Sequence, residues 1–497
     1  MRTGFLLLLL PLLLPSSAAA VERPNIIFIM VDDLGPEWIG CYGGRELKTP
    51  HIDALAAGGM RFTNAYSMPQ CTPTRATLLT GQYPFRHGWC NHWDVPRWGA
   101  GCHFDPRHNL TFARVLKPAG YKTAIAGKWQ INDFRVQPDV LGQHGFDAWC
   151  MWTGYETGKP ASGKRYWNPY IHTSGGKSRT HRDRFGPDVF TDFLIEFLEE
   201  HRDSPMLLYF PMVLTHGPVV HTPAEPEAKS SLEKHKAMVR YTDGLVGRLV
   251  SAVDRLKLRR RTIIFFTTDN GTSKRFRARM GDRVVRGGKG LLTENGPRQP
   301  LIVNGPGIVP AGVVTDALTD LTDMFPTFAE LAGARIPTGT QLDGHSLAGL
   351  LRGEKRDGTR QWILAMGRGA AALDARGVRP QQQYTDRVLR DKRFKVFVEK
   401  GRITHSTICR TIPRRQPTWS GAPGRSTSPP AASSRRSLPG SRSRIRGPAI
   451  RPPHPSPGIA SPTCHNELSR MTWGDCCHDR HQQHAHAANN RIAQCKL

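Results

Sequence analysis

Short apolar runs alternate with amphipathic stretches between residue 25 and about residue 335. Uninterrupted runs of strand length occur at 26–31, 206–210 and 263–268, and they consist largely of aliphatic and aromatic residues. Such runs are typical of strands that are buried on both faces of a parallel sheet. The pattern therefore predicts an α/β fold, with a large, mixed but mostly parallel sheet sandwiched by helices.

Helical periodicity occupies the stretches between these runs. Apolar residues recur at i, i+4 spacing in 188–200 and along one face of 234–256, which predicts two amphipathic helices. Pro50 directly after Thr49 indicates the start of another helix. The region 152–186 is rich in Gly, Lys, Arg and Tyr, and it predicts a long loop that faces a substrate.

The composition divides the chain into four segments. Residues 1–20 hold an arginine, a short apolar run and a series of small residues, which together indicate a secretory signal peptide. We predict a main domain at 21–335 and a smaller α+β part, with a strand at 393–398, at 336–405. The segment 406–497 is a low-complexity tail rich in Arg, Pro and Ser, which we expect to be disordered. We expect an exported protein, periplasmic or secreted, without stable membrane insertion.

The formal net charge is +28, and the tail supplies a large share of it, with 14 Lys and Arg residues against 3 Asp and Glu residues. One interpretation is a disordered arm that binds nucleic acid. Export and the lack of aromatic interleaving argue against that interpretation. We therefore predict no nucleic-acid partner.

Acidic and amide residues come immediately after two of the apolar runs. The first run leads into Asp32 and Asp33, and the third leads into Asp269 and Asn270. Either pair alone would more often be a helix cap or a turn. Ligands of α/β proteins, however, gather where parallel strands end. Oxygen donors of this kind suit Ca²⁺ or Mg²⁺ better than zinc, so the two pairs predict a metal site.

The segment Cys71-Thr-Pro-Thr-Arg75 resembles the signature of the type I sulfatases, in which this cysteine is converted to formylglycine. On its own Cys71 would be a buried or disulfide-bonded cysteine. Further blocks resemble that family in the expected order, and they are Pro24–Gly35, Thr49–Ala56, Ala76–Gly81, Gly127–Trp129, Thr215–Pro218, Thr267–Gly271 and Arg286–Gly290. The resemblance covers most of the main domain, from Pro24 to about Arg335.

The resemblance implies a cation site and a set of residues that act on sulfate. Arg75 would hold the hydrated aldehyde, while Lys128 and Lys289 would grip sulfate oxygens. His216 would protonate the leaving alcohol or steady the sulfate, and Lys289 shares the candidacy for general acid. The cation, Ca²⁺ or alternatively Mg²⁺, would be bound by Asp32, Asp33, Asp269, Asn270 and the modified Cys71.

The implied reaction is hydrolysis of a sulfate monoester on a sulfated carbohydrate or an aryl sulfate. The nucleophile approaches an anion and the leaving group is poor, so a cation and Lys or Arg donors are needed to stabilise the transition state. One hydroxyl of the hydrated formylglycine attacks sulfur, and the other later expels sulfate, which an ordinary Ser or Cys could not do. A formylglycine-generating enzyme is the implied maturation partner.

The sequence gives an indication of the substrate in the basic residues of one segment. Basic residues of the predicted long loop would suit a sulfated polysaccharide, although such residues more often form a solvated face. They are Lys159, Lys164, Arg165 and Lys177.

Gln130 departs from the family pattern, because many members have His at this position. Glutamine can hydrogen-bond the diol or the sulfate, but it cannot take up a proton near neutral pH. We keep Gln130 as a candidate substrate-binding residue. His144 and His221 are the alternative candidates for a base.

Two other functions remain open at this point. A phosphodiesterase or phosphonate monoester hydrolase of the same superfamily would use the same layout. A catalytically silent binding protein would result if Cys71 stays a thiol. Export permits disulfides, and Cys90 with Cys102 is a plausible short loop, but pairing does not follow from sequence.

The composition changes abruptly after His405. Sulfatases commonly follow their last strand with a segment like Tyr-Asp-Leu-x-x-Asp-Pro. Permitted codons for 405–419, read from the last base of the His405 codon, allow Phe-Tyr-Asp-Leu-Ser-Asp-Asp-Pro. We therefore hypothesise a frame change near His405, and we assign no function to the tail, including Cys476 and Cys477. Codons in the nucleotide sequence that forbid the alternative reading would rule the hypothesis out.

Overall fold

The computed structural model describes residues 23–90, 104–134, 137–153, 164–176, 178–367, 372–374, 377–379 and 386–409. Several predictions fall outside the described residues and stay predictions: the signal peptide, the tail from residue 410 onward, the pairing that involves Cys102, and the two loop lysines Lys159 and Lys177.

The described part of the chain alternates strands and helices through the main domain and ends in strands. The strands are β1 Asn25–Val31, β2 Met60–Tyr66, β3 Lys122–Lys128, β4 Ala148–Trp152, β5 Tyr170–Thr173, β6 Arg179–Thr180, β7 Met206–Pro211, β8 Thr262–Thr268, β9 Arg277–Met280, β10 Arg283–Arg286, β11 Arg298–Asn304, β12 Val313–Thr315, β13 Thr319–Asp320, β14 Ile363–Met366, β15 Ala372–Asp374, β16 Gly377–Arg379, β17 Arg387–Arg390, β18 Phe394–Glu399 and β19 Arg402–Ile408. The α-helices are α1 Pro50–Ala57, α2 Cys71–Thr80, α3 Pro84–His87, α4 Phe112–Leu116, α5 Val140–Gln143, α6 Gly186–Glu200, α7 Ser231–Arg255, α8 Met324–Leu331 and α9 Ala348–Leu351.

The main sheet has a parallel centre and antiparallel additions on both sides. Its strand order is β12-β2-β11-β8-β1-β7-β3-β4-β5-β6, with β13 also paired to β2. Strand β1 runs parallel to β7 and β8, and β3 runs parallel to β7 and β4. Because the central strands are parallel, their carboxyl ends open on one edge of the sheet. This edge is where the candidate chemistry collects.

Two hydrophobic layers cover the faces of the sheet. On β1, Ile26, Phe28 and Met30 face one layer, and Ile27 and Ile29 face the other, as the two-residue period of a strand requires. The first layer includes apolar residues of α4 and α8, and the second includes those of α6 and α7. The predicted sandwich of helices around a mostly parallel sheet is therefore confirmed.

The apolar runs predicted their strands to within one residue, but the region 152–186 was only partly a loop. Within it, β5 and β6 form an antiparallel hairpin that pairs with β4. Only Ile171 and His172 are buried in β5, so the segment has no apolar run that would have indicated a strand. The antiparallel pairing of β11 with β2 and β8 was also not predicted.

A smaller antiparallel sheet with the order β14-β17-β18-β19 follows the main domain. The predicted strand at 393–398 is β18, and the last strand, β19, continues to Ile408. The boundary near residue 335 stays a prediction, since Leu347 and Ala348 pack in the same hydrophobic layer as Phe325. Among the described helices, none has both the length and the apolar content needed to cross a bilayer.

Candidate active site at the carboxyl edge of the sheet

The two predicted ligand pairs lie side by side at this edge. Strands β1 and β8 are neighbours in register, with Val31 opposite Thr268, so the residues that follow them emerge together. The backbone N–H of Asp33 donates to Asp269 Oδ1 at 3.1 Å, and Asn270 Nδ2 donates to Asp33 Oδ1 at 2.7 Å. The sheet therefore brings both pairs into one cluster.

Two acceptor oxygens in this cluster have no hydrogen-bond partner among the described residues. They are Asp32 Oδ1 and Asn270 Oδ1, and both are buried. The Cys71 sulfur and one carboxylate oxygen each of Asp32 and Asp269 also lie within 4.8 Å of one another. Buried oxygens that lack donors are costly unless something positive binds them. The oxygen donors of Asp32, Asp269 and Asn270 thus fit a hard divalent cation.

Charge repulsion within the cluster points the same way. Burial raises the pKa of Asp269 well above its usual range, and the charge of Asp32 adds to that effect. Burial also acts to raise the pKa of Asp32, but positive neighbours, with Lys128 first, lower it well below its usual range. A bound cation would stabilise the ionised form of Asp269 and so lower its pKa.

Cys71 and Arg75 occupy one face of α2. Cys71 is the first residue of this helix and is fully buried, at the end where the helix dipole favours negative charge. Arg75, one turn later, donates to the carbonyl oxygen of Lys128 at 2.7 Å and to Asp269 Oδ2 at 3.0 Å. Arg75 therefore joins α2 to both the metal cluster and the end of β3.

Two lysines contact the carboxylates from opposite sides. Lys128 Nζ lies 2.6 Å from Asp32 Oδ2, and Lys289 Nζ lies 2.7 Å from Asp33 Oδ2. The Lys128 side chain is 1% exposed, whereas that of Lys289 is 22% exposed. Lys128 thus lies at the floor of the site and Lys289 at its open side.

The residue before Lys128, Gly127, lies where a side chain would not fit. Its φ is 124°, and a Cβ atom there would lie 2.1 Å from the carbonyl oxygen of Pro211. The close approach of β3 to β7 at this point requires glycine. The Gly127-Lys128 part of the motif therefore depends on a backbone conformation as well as on the lysine side chain.

His216 follows β7 and faces Asp33. Its Nε2 atom lies 3.7 Å from Asp33 Oδ2, and its Nδ1 atom lies 2.7 Å from the carbonyl oxygen of Gly217. A carbonyl oxygen can only accept, so Nδ1 carries a proton. Burial lowers the pKa of His216 to about 3, and the charges of Lys128 and Lys289 act in the same direction. His216 is therefore neutral here, with the Nε2 lone pair toward the site.

Gln130 has an unusual backbone conformation and a half-buried side chain whose Oε1 atom is buried. Its φ is 72°, in the left-handed region, and its Oε1 atom has no hydrogen-bond partner among the described residues. The two alternative bases pack against aromatic side chains. His144 packs between Phe104 and Trp129 in the core, and His221 packs against Trp167.

Glu37 and Thr272 form a link that the sequence did not predict. Thr272 Oγ1 donates to Glu37 Oε1 at 2.6 Å and accepts from the backbone N–H of Gly35 at 2.8 Å. The link joins the segment after β1 to the segment after β8, which are the two segments that begin with the ligand pairs. Burial raises the pKa of Glu37. Residues this far apart in sequence offer no local signal that they meet.

Comparisons with known proteins identify the family and the fold. The family model described as Sulfatase matches residues 24–334. Arylsulfatase D of Homo sapiens is 30% identical over 442 residues, covering 72% of this chain and 73% of that protein. Arylsulfatase A of Homo sapiens is 33% identical over 371 residues, covering 69% and 70%. The crystal structure of Ps i-CgsB in complex with k-i-k-neocarrahexaose has the same fold, with a TM-score of 0.63 and 24% identity over 76% of this chain and 84% of that one.

Proposed function

The chain belongs to the sulfatase family and is a sulfuric ester hydrolase, and we propose that it uses a formylglycine formed at Cys71 together with one divalent cation. We propose a sulfated carbohydrate or an aryl sulfate as its substrate. One observation carries the proposal. Within the described part of the chain, Asp32 Oδ1 and Asn270 Oδ1 are buried without hydrogen-bond partners, and carboxylate oxygens of Asp32 and Asp269 lie within 4.8 Å of the Cys71 sulfur.

The cation would be held by side chains from two adjacent strand ends and from α2. Ca²⁺ fits an all-oxygen set of carboxylates and one amide, and Mg²⁺ is the alternative. When bound, the cation supplies positive charge next to the sulfate and makes the nucleophile more acidic. The residues that would hold it are Asp32, Asp33, Asp269, Asn270 and the modified Cys71.

Cys71 would be converted by a separate formylglycine-generating enzyme before the fold closes over it, because the residue is fully buried in the folded chain. The hydrated aldehyde supplies one hydroxyl for attack on sulfur and a second for release of sulfate. Arg75 would orient this group, since it lies one helical turn away and is itself held by Asp269.

Lys128 and Lys289 would bind the sulfate oxygens. A sulfate monoester gains negative charge toward the departing oxygen in the transition state, and fixed ammonium groups stabilise that charge. Both lysines now bind carboxylates, and a bound cation would take over part of that role. Each ammonium group would then have a hydrogen-bond donor free for sulfate.

The candidate proton donors for the leaving alcohol are His216 and Lys289. His216 is neutral in the free protein because burial lowers its pKa to about 3. An incoming sulfate brings negative charge, which raises the pKa of a neighbouring imidazole. We propose His216 as the proton donor in the complex and Lys289 as a sulfate ligand, and we retain Gln130 as a hydrogen-bond donor to sulfate.

We also propose that the protein is exported to the periplasm or secreted. The support is the pattern of residues 1–20, with an arginine, an apolar run and small residues. Export would deliver the enzyme to sulfated polymers outside the cell.

The experiment measures the modification and the activity in one preparation. The full chain is produced with a formylglycine-generating enzyme, and the tryptic peptide 62–75 is analysed by mass spectrometry. We expect the aldehyde mass, together with hydrolysis of 4-nitrophenyl sulfate that a Cys71→Ala control lacks. An intact thiol in a preparation that still hydrolyses sulfate would contradict the proposal. Faster hydrolysis of 4-nitrophenyl phosphate than of the sulfate would contradict it too.

A further inference from the structure

We propose that Arg165 binds a second anionic group of the substrate, a sulfate or a carboxylate on the leaving-group side of the scissile sulfate. The inference rests on the proposed function and narrows the substrate class to sulfated carbohydrates that carry at least two anionic groups. The sequence placed Arg165 among four basic loop residues that would suit a sulfated polysaccharide, and it did not distinguish Arg165 from the other three.

Arg165 lies at the same sheet edge as the sulfate-binding lysines. Its guanidinium carbon lies 4.1 Å from the centre of the Trp152 ring. Trp152 is the last residue of β4 and the register partner of Lys128, the last residue of β3. The guanidinium group therefore stands one strand beyond Lys128, against an aromatic wall of the site.

This guanidinium group is buried and has no anionic partner among the described residues. Arg165 is 9% exposed, and its Nε atom is buried without a hydrogen bond. Its polar neighbour is His216, with Nη1 at 3.4 Å from Nδ1. That Nδ1 already donates its proton to Gly217, so two donors face each other there. A buried cation without a counter-charge is unfavourable unless an anion binds it.

The backbone around Arg165 is firmly held. The Tyr166 hydroxyl lies 2.8 Å from the carbonyl oxygen of Val213 and 2.5 Å from that of His216. The backbone N–H of Gly186 donates to the carbonyl oxygen of Tyr166 at 2.6 Å. Arg165 is thus held beside the site before any ligand arrives, which lowers the entropy cost of binding one.

The position of His216 indicates which part of the substrate Arg165 would contact. His216 faces Asp33 with Nε2 and Arg165 with Nδ1, so the imidazole ring separates the guanidinium group from the metal cluster. In-line attack from Cys71 places the leaving oxygen on the side away from the nucleophile. We place His216 at that leaving oxygen, so a group next to Arg165 belongs to the alcohol part of the substrate.

The test compares substrates that differ by one anionic group. One pair is a monosulfated and a disulfated disaccharide that share the scissile sulfate. The other pair is a uronate-containing monosulfated disaccharide and its carboxyl-reduced form. The substrate 4-nitrophenyl sulfate carries no second anion. The full, modified chain is assayed as wild type, Arg165→Gln and Arg165→Lys, with Lys164→Gln as an exposed neighbour that loses the same charge.

We expect Arg165→Gln to lower kcat/KM about 10- to 100-fold on the dianionic member of one pair, through KM, as loss of a charged hydrogen bond predicts. Arg165→Lys should recover part of that loss. For the Arg165 variants, the loss on 4-nitrophenyl sulfate should be far smaller than the loss on the dianionic substrate, since no second anion is present. The substrate pair whose dianionic member loses kcat/KM in Arg165→Gln identifies the anion as sulfate or carboxylate.

Equal losses on all substrates would overturn the inference, because they would mean that Arg165 only supports the fold of the site. A wild type without preference for the dianionic substrates would overturn it as well. Activity of the wild type on 4-nitrophenyl sulfate upholds the proposed function in both cases. A wild type that carries the aldehyde and hydrolyses no sulfate ester would contradict the proposed function itself.

Discussion

Lys128 Nζ donates a 2.6 Å hydrogen bond to Asp32 Oδ2, and neither side chain is more than 1% exposed. The other oxygen of the same carboxylate, Oδ1, has no partner among the described residues. One carboxylate thus faces a fixed ammonium group with one oxygen and leaves the other oxygen for a metal. The proposed sulfate contact of Lys128 and the proposed metal site would therefore be coupled through Asp32.

We expect Lys128→Ala to lower kcat/KM about 10²- to 10³-fold, because a fixed positive charge next to the sulfate is lost. Breaking the buried ion pair should also cost about 3–5 kcal/mol in the free energy of unfolding. Added Ca²⁺ should recover part of the stability and none of the activity. Kinetics and urea unfolding measure both effects. The control is Lys122→Ala, at the exposed start of the same strand, and unchanged kinetics for Lys128→Ala would contradict the assignment.

Removal of the metal should abolish activity and lower the melting temperature, because the carboxylates then repel one another without a bound cation. Ca²⁺ at about 100 times its Kd should add about 2.7 kcal/mol of stability to the wild type. In Asn270→Ala, which loses one of the two unpartnered oxygens, the same Ca²⁺ concentration should raise the melting temperature much less. Full activity in protein shown to be free of metal would exclude the cation site.

His216→Gln should lower activity most on substrates with poor leaving groups. We expect a loss of about 10²- to 10⁴-fold on a sugar sulfate, where the departing alkoxide needs a proton. On 4-nitrophenyl sulfate the loss should be much smaller, since nitrophenolate leaves without protonation. Steady-state kinetics on both substrates check the contrast. If Lys289→Met shows this contrast and His216→Gln does not, Lys289 is the proton donor.

Gln130→His should add an ionisable group to the site without disturbing the backbone. Gln130 has a φ of 72°, and His is one of the residues that tolerate the left-handed region. We expect a new limb in the pH–rate profile near the usual histidine pKa of about 6.5. Gln130→Asn serves as the control, because it keeps an amide. An unchanged profile would mean that the residue at this position only orients the diol or the sulfate.

His235 should make the fold sensitive to acid. The ring is stacked on Phe276, neither of its nitrogens has a hydrogen-bond partner among the described residues, and burial lowers its pKa to about 3. The unfolded chain takes up this proton near pH 6.5 and the folded chain does not, so stability falls as the pH drops from about 6.5 toward 3. The slope is about 1.4 kcal/mol per pH unit for this residue.

His235→Phe should remove that part of the slope and keep the stack on Phe276. At pH 7.5 the variant should be at least as stable as the wild type, because two unsatisfied nitrogens are gone. Urea unfolding at pH 7.5 and pH 5 tests both statements. The same acid slope in variant and wild type would show that His235 is not the residue responsible.

The sequence predicted those features that depend on neighbouring residues. Apolar runs placed β1, β7 and β8 within a residue of their observed bounds, since a strand buried on both faces must be continuously apolar. The proximity of the pairs Asp32–Asp33 and Asp269–Asn270 could be predicted too, because both pairs directly follow such strands. The hairpin of β5 and β6 could not, because its stability comes from pairing with β4 and not from its own apolar content.

The amino-acid sequence by itself determined the family, the alternation of buried strands and amphipathic helices, and which residue types the chemistry would use. Only the tertiary structure decided which groups lack partners and which are held in place. The two unpartnered oxygens of the metal cluster, the Glu37–Thr272 link and the unpaired guanidinium group of Arg165 result from contacts between residues far apart in the chain. Burial and the field of neighbouring charges arise only when those residues meet, so the lowered pKa of His216 and the anion site proposed at Arg165 depend on the fold.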